Sequence, residues 1–241
     1  MNEIIVDVNS SVTTLTINRE TAGNMLNLEM IHELTTRILE AGNSSHCVVL
    51  KGSGPDFCRG RDPATAGPHP TPMAIRNNLI SPIMGLYDAI RFTKVPVICC
   101  VQGKALGLGC AIAGVSDITI AEDTAQFQLP EMEYNLPPTL AISAIMEKVG
   151  RKAAAWMTYS INLIAAPRAQ EMGLVSQVVQ KGSLGSELEK LLSTLTSRDL
   201  MAVMAIKEYL SYAPDSGPAM RPMASNLLAL ALSTQQANKK S

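Results

Sequence analysis

An α/β fold with crossover connections is the architecture this chain predicts. Three observations point there. β-branched runs such as Val95–Val101 alternate with stretches of helical spacing, the links between them are mostly short, and 46% hydrophobic residues over 241 positions supply a large core.

Glu3–Val8 and Val12–Asn18 are rich in Val, Ile and Thr and flank Asn9-Ser10-Ser11, the pattern of a hairpin. Leu28, Ile31, Leu34 and Ile38 then fall at helical spacing, with Gly42 as the stop. His46–Leu50 predicts a short strand. Lys51–Pro72, dense in Gly and Pro, predicts a long surface loop of the kind that carries binding groups. A helix over about Met73–Phe92 leads into the Val95 strand. A second strand starts at Asp117, and FQLPEMEYNLPP (127–138) holds too many prolines for a regular element. Helices over Thr139–Val149 and Arg151–Ser160 follow, then Ala169–Met172, Gly173 and a strand over Leu174–Gln180. Leu184–Thr234 reads as helical, interrupted at Pro214–Pro222, and as an appendage to the sheet rather than part of it.

The totals exclude several functions. A net charge of −1 leaves no basic face, so no nucleic-acid partner is expected. No apolar run approaches the roughly 20 residues that span a bilayer, and residues 1–20 carry acids, unlike a signal peptide. Cys47, Cys58, Cys99, Cys100 and Cys110 are odd in number and lie mostly in apolar runs. Buried reduced thiols in a cytoplasmic protein account for them better than disulfides. No Cys/His cluster has zinc spacing, so no metal site is expected.

Val95–Asp123 carries the chemistry. The strand-like run ends at Gly103, and Gly107, Gly109 and Gly114 follow before the next strand. Glycines at a strand-to-helix junction let backbone N–H groups approach a ligand, and a helix starting there turns its positive end toward it. This is suited to holding an anion, or a charge that appears only during reaction. A dinucleotide fingerprint fails because Ile112 stands where its third glycine belongs. A P-loop fails because Lys104 is followed by Ala105, and G-x-S-x-G is absent. PDFCRGRD (55–62) and QGKALGLGC (102–110) each place glycine in a tight turn after a strand. Two such turns either close ordinary βα units or aim two amides at one oxygen, an oxyanion hole.

The chain resembles the crotonase (enoyl-CoA hydratase/isomerase) superfamily over nearly its whole length. The matches run in order. They are Ile17-Asn18-Arg19 with Asn24 and Leu26; Phe57–Asp62; Val101–Cys110; Ser116-Asp117-Ile118; Phe127-Gln128-Leu129-Pro130-Glu131; and Ala169–Val175. The resemblance implies a spiral of ββα units over residues 1–182 and a helical C-terminal region, 183–241, that forms a homotrimer or a dimer of trimers. It implies a CoA thioester (or an acyl-carrier thioester) as substrate, with coenzyme A arriving as part of it and no permanently bound cofactor. Its carbonyl would enter an oxyanion hole made by the backbone N–H groups of Arg61 and Leu108. Arg19, Cys58, Gly60, Gly107 and Tyr87 are the expected substrate or CoA contacts, Tyr87 as a donor to a substrate oxygen. The Arg61 side chain would reach a CoA phosphate or an acidic substrate group.

Glu131 matches one of the two catalytic glutamates of hydratases; at the position of the second this chain has Ala111. The stretch that helps seat the water in hydratases, Pro-Gly-x-Gly-Gly, reads Pro138-Thr139-Leu140-Ala141-Ile142. Hydration needs one group to activate water and another to deliver a proton, whereas moving a double bond needs a single carboxylate that takes a proton at C2 and returns it at C4. Isomerisation is therefore favoured, with hydration, decarboxylation of a carboxyacyl thioester, and a non-catalytic thioester-binding subunit as alternatives. Phe127, Leu129, Met132 and Leu136 would surround Glu131 and raise its pKa. Asn135 is expected in a turn with φ above zero. Ile75, Leu79, Ile83, Leu86 and Ile90 would form a wall of the acyl pocket or plain core. Asp117 is expected to accept backbone hydrogen bonds. His32 and His46 read as structural, His69 lies beside the presumed entrance, and Asn226–Leu232 with Lys239-Lys240 departs from the usual C-terminal motifs.

Overall fold

A computed structural model describes residues 2–65 and 71–212, together with 226 and 228. The hairpin forms as expected: β1 (Ile4–Asn9) and β2 (Val12–Ile17) pair antiparallel, Ile4 opposite Ile17. Helix α1 (Leu28–Ala41) starts where the Asn27 side chain accepts the Met30 N–H and buries Met30, Ile31, Leu34 and Ile38. β3 (Cys47–Gly52) follows. The predicted Met73–Phe92 helix forms, with one π-helical turn inside it. A four-residue α2 (Pro72–Ile75) opens into a π-helical turn, Arg76–Ile80, before α3 (Ser81–Phe92). Ile75 is 38% exposed, while Ile83, Leu86, Tyr87 and Ile90 are buried.

The chain then runs through β4 (Val97–Val101), β5 (Lys104–Leu106), α4 (Leu108–Val115), β6 (Ile118–Glu122) and β7 (Gln126–Gln128). Next come α5 (Thr139–Ser160), β8 (Ile164–Ala165), α6 (Ala166–Glu171), β9 (Gln177–Val179), α7 (Leu184–Thr196) and α8 (Leu200–Tyr212). Gly150, with φ 73° and ψ 165°, divides α5 into the two helices expected either side of it. The proline-rich stretch is more regular than expected. β7 precedes a 3-10 turn, Glu131–Tyr134, closed by Asn135 at φ 57°.

One six-stranded sheet has the order β1-β2-β3-β4-β6-β9, and β5-β7-β8 forms a second, small sheet. Beyond the hairpin, all pairings of the large sheet are parallel, and β3 and β4 are buried on both faces. Val48, Leu50, Cys99 and Val101 point into the main core with α1, α3 and α4, while Cys47, Val49, Ile98 and Cys100 meet Leu184, Leu188 and Leu191 of α7. The described part of the last quarter adds no strand, yet α7 is not peripheral, because it covers a face of the sheet. Helix α8 is anchored in turn: buried Lys207 bonds both carboxylate oxygens of Asp117, at 2.9 and 2.8 Å, and the Ile90 carbonyl at 2.9 Å. Asp117 also accepts the Val97 N–H, as expected of it. Asn226–Leu232, Lys239-Lys240 and His69 lie outside the described residues, apart from helical positions 226 and 228.

Candidate active site

Backbone pairing brings the two glycine segments side by side. The Cys58 N–H donates to the Lys104 carbonyl at 3.1 Å, and the Leu106 N–H donates to the Cys58 carbonyl at 2.9 Å. β7 lies on the other side of β5, and its Gln128 carbonyl accepts the Gly107 N–H at 2.9 Å. Gly107 takes φ 50° and ψ −114°, a turn an L side chain resists, and so redirects the chain from β5 into α4. Gly109 is required for a different reason: a Cβ there would overlap the Cys58 carbonyl oxygen.

Amide accounting identifies what this crossing leaves over. The N–H groups of Phe57, Cys58, Arg59 and Asp62 all reach backbone carbonyls, whereas those of Gly60, Arg61 and Leu108 find none among the described residues. The Gly60 carbonyl accepts the Leu26 N–H at 2.9 Å. Because the 60–61 peptide is trans, the Arg61 N–H points the opposite way. That is the side of Leu106–Leu108: a Cβ on Gly60 would sit 3.2 Å from the Leu106 oxygen and 4.0 Å from the Leu108 nitrogen. The Gly107 carbonyl accepts from Ala111 inside α4, so the Leu108 N–H projects out of the helix N-terminus. Both free amides thus border one gap.

Glu131 lies at the edge of that gap. Its Oε1 would be 3.1 Å from a Cβ on Gly107, and its Oε2 is buried with no hydrogen-bond partner. Burial pushes its carboxyl above the usual carboxylate range. Of its expected apolar neighbours, Phe127 and Leu129 are fully buried in the main core. Leu136 is 55% exposed because the left-handed Asn135 turns the chain outward. Tyr87 and Cys110 are the neighbours the sequence did not assign to Glu131: its carboxyl raises the pKa of both, after burial, and the Cys110 thiol is pushed up to about 12. Ala111 is fully buried at the position of a second carboxylate. Glu133 is exposed and accepts from Gln128 Nε2 at 3.1 Å.

The remaining candidates support this framework. Arg19 bonds Asp62 Oδ2 at 2.6 Å through Nη1 and Glu3 Oε1 at 3.0 Å through Nε, and so ties down the residue after Arg61. Two of its nitrogens are therefore engaged within the protein, where sequence reasoning expected a substrate or CoA contact. The Arg61 guanidinium donates to the Asp62 carbonyl at 3.2 Å. Cys58 is buried against Gly109, its thiol pushed up to about 12 by burial, which makes it packing rather than a nucleophile. Asn24, buried at φ 56°, donates to the carbonyls of Ser53 and Asp56, both at 2.8 Å, and holds this loop cluster together. His32 is exposed and His46 half-buried, both away from the gap. A separate open cleft of about 420 Å³ is bordered by Lys152, Trp156, Arg168 and Glu171, none of them a candidate site residue.

The family model for enoyl-CoA hydratase/isomerase matches residues 7–239. The chain belongs to the enoyl-CoA hydratase/isomerase family. It is 30% identical over 220 residues to the 1,2-epoxyphenylacetyl-CoA isomerase of Escherichia coli K12, covering 88% of this chain and 83% of that one. It is 29% identical over 216 residues to the short-chain-enoyl-CoA hydratase of Clostridium acetobutylicum, with coverage of 86% and 80%. Among solved structures, the enoyl-CoA hydratase of Mycobacterium smegmatis superposes with a TM-score of 0.92 at 27% identity, covering 96% of this chain and 91% of that one. The protein is an enzyme of this family, has the crotonase fold and acts on an acyl-CoA thioester. No described helix is long and apolar enough to cross a membrane.

Proposed function

We propose that the enzyme shifts the double bond of an enoyl-CoA, with Glu131 as the only acid–base group. The thioester oxygen takes the gap between the Arg61 and Leu108 amides, which strengthen their hold as charge develops on it. Glu131 removes a proton from C2, the enolate persists on those amides, and the same carboxyl returns the proton at C4. Its raised pKa brings it nearer to neutrality, where giving and taking a proton are both feasible. The observation that carries this reading is the buried, unpartnered Glu131 Oε2 beside the Gly107 turn, with an alanine at the second carboxylate position.

Hydration is the second reading, favoured by the names of relatives such as the Clostridium acetobutylicum enzyme. It needs a further group to activate water where Ala111 stands. We also assign residues 183–241 to subunit contacts in a trimer or a pair of trimers, which the molecular mass in solution tests. Incubation with 3-enoyl-CoA and 2-enoyl-CoA in heavy water tests the chemistry. Interconversion of the two with deuterium at C2 or C4 supports isomerisation, and accumulation of 3-hydroxyacyl-CoA overturns it in favour of hydration.

A further inference from the structure

Strand β1 forms one edge of the large sheet, and its only strand partner among the described residues is β2. The Asn18 N–H donates to the Glu3 carbonyl at 2.7 Å, so the odd-numbered residues of β1 exchange backbone hydrogen bonds with β2. The N–H and C=O groups of Ile4, Val6 and Val8 therefore point out of the sheet, and none has a partner among the described residues. The side chains around them are aliphatic. Val6 is 39% and Val8 64% exposed on the face that buries Ile4, and Ile5 is 44% exposed on the other. Sheet edges are ordinarily blunted by Lys, Pro or a bulge. β1 has none of these: it reads IIVDVN, and its register with β2 is unbroken over all six residues.

We propose that β1 is an interface with a second copy of this chain, the two β1 strands pairing antiparallel about a twofold axis at Val6. This register alone uses every outward group. Val6 lies opposite its own copy and Ile4 opposite Val8, and each such pair exchanges two backbone hydrogen bonds. It also sets Asp7 opposite Ile5 and Glu3 opposite Asn9, so no acid directly faces an acid. Sliding the pairing by two residues one way opposes Asp7 to its own copy, and the other way opposes it to Glu3. Like charges directly opposite destabilise a strand pair, so the acids select the central register. The contact is self-complementary and closes on itself.

The first test is the mass in solution, by light scattering, of the natural protein and of Val6→Pro. Proline is tolerated on an edge strand where its missing N–H faces outward, so β1–β2 pairing survives while pairing with the copy is lost. The natural mass should correspond to an even number of chains and halve in Val6→Pro. Val6→Lys serves the same comparison if the proline variant does not fold, because it sets two cations face to face. Halving is expected whether or not residues 183–241 build a trimer, so the two assignments fail separately. The second test is register-specific crosslinking with diamide, the five natural cysteines all being buried. Val6→Cys should form a covalent dimer, since opposite Cα atoms stand about 5.5 Å apart, within disulfide reach. Val8→Cys should not, its two copies lying about 13 Å apart. An odd number of chains in the natural protein overturns the proposal and leaves the edge to a strand of some other protein. A natural mass retained by both Val6 variants overturns it too, as does crosslinking of Val8→Cys as readily as Val6→Cys.

Discussion

Gly109→Ala separates a distance effect from a folding effect at the proposed oxyanion hole. The added methyl would overlap the Cys58 carbonyl oxygen and lie 2.9 Å from Cys58 Cβ and 3.0 Å from the Cys58 carbonyl carbon. Carbon atoms rest at about 3.5–4.0 Å, so the 58–61 segment and α4 must part by roughly 0.5–1 Å. Overpacking of this kind costs about 1–3 kcal/mol, offset by up to about 1 kcal/mol because alanine favours a helix over glycine. A net loss of about 0–2 kcal/mol leaves a domain of typical stability folded. The Arg61 and Leu108 amides are carried by the two parts that separate, and a 1 Å misplacement costs about 10² in rate. Steady-state kcat/KM on an enoyl-CoA should therefore fall about a hundredfold, while the melting temperature drops by only a few degrees. A kcat/KM within about threefold of the natural enzyme would refute the reasoning, because the two amides would then not depend on this packing.

Two further predictions concern charge inside the fold. Lys207→Met removes one member of a buried pair and strands Asp117. Asp117 keeps the Val97 N–H and some solvent contact, so the loss should sit at the lower end of the usual range, about 3 kcal/mol in urea unfolding. Adding Asp117→Asn should restore part of it, and a loss under about 1 kcal/mol for the single variant would contradict the anchoring of α8. Glu131 has a folded-state pKa above its unfolded value, so the folded state holds its proton more tightly. Its cost to stability is absent below the unfolded pKa, grows as pH rises through the folded pKa, and is fully present above both. Glu131→Gln should accordingly melt higher than the natural protein at pH 8 and nearly equal to it at pH 4. Equal melting at both pH values would mean the carboxyl is not desolvated.

Local signals in the sequence are strong for most of the large sheet. The β1–β2 hairpin, α1 ending before Gly42, the break at Gly150 and the left-handed Asn135 each follow from nearby residue types. The second sheet was not legible, because Lys104–Leu106, Gln126–Gln128 and Ile164–Ala165 are too short for a period of two to register. Nor was the π-helical turn at Arg76–Ile80, whose side chains do not announce an extra residue in the turn. The glycine segments pointed to an anion site, but the direction of the Arg61 amide depends on Gly60 pairing with Leu26, 34 positions earlier in the chain. The Arg19–Asp62 and Lys207–Asp117 pairs are not legible for the same reason: charges separated by 43 and 90 positions carry no local pattern. Site chemistry was readable where a residue acts through its own side chain, as at Glu131. It was hidden where residues act by holding others.

The central claim is that a single carboxyl moves the proton, and Glu131→Gln tests it most directly. Proton exchange at C2 of 3-enoyl-CoA in heavy water, measured beside the affinity for the same thioester, separates chemistry from binding. Loss of an acid–base group should slow exchange by at least about 10² while affinity stays within a few-fold. Exchange that continues at the natural rate in Glu131→Gln would contradict the account.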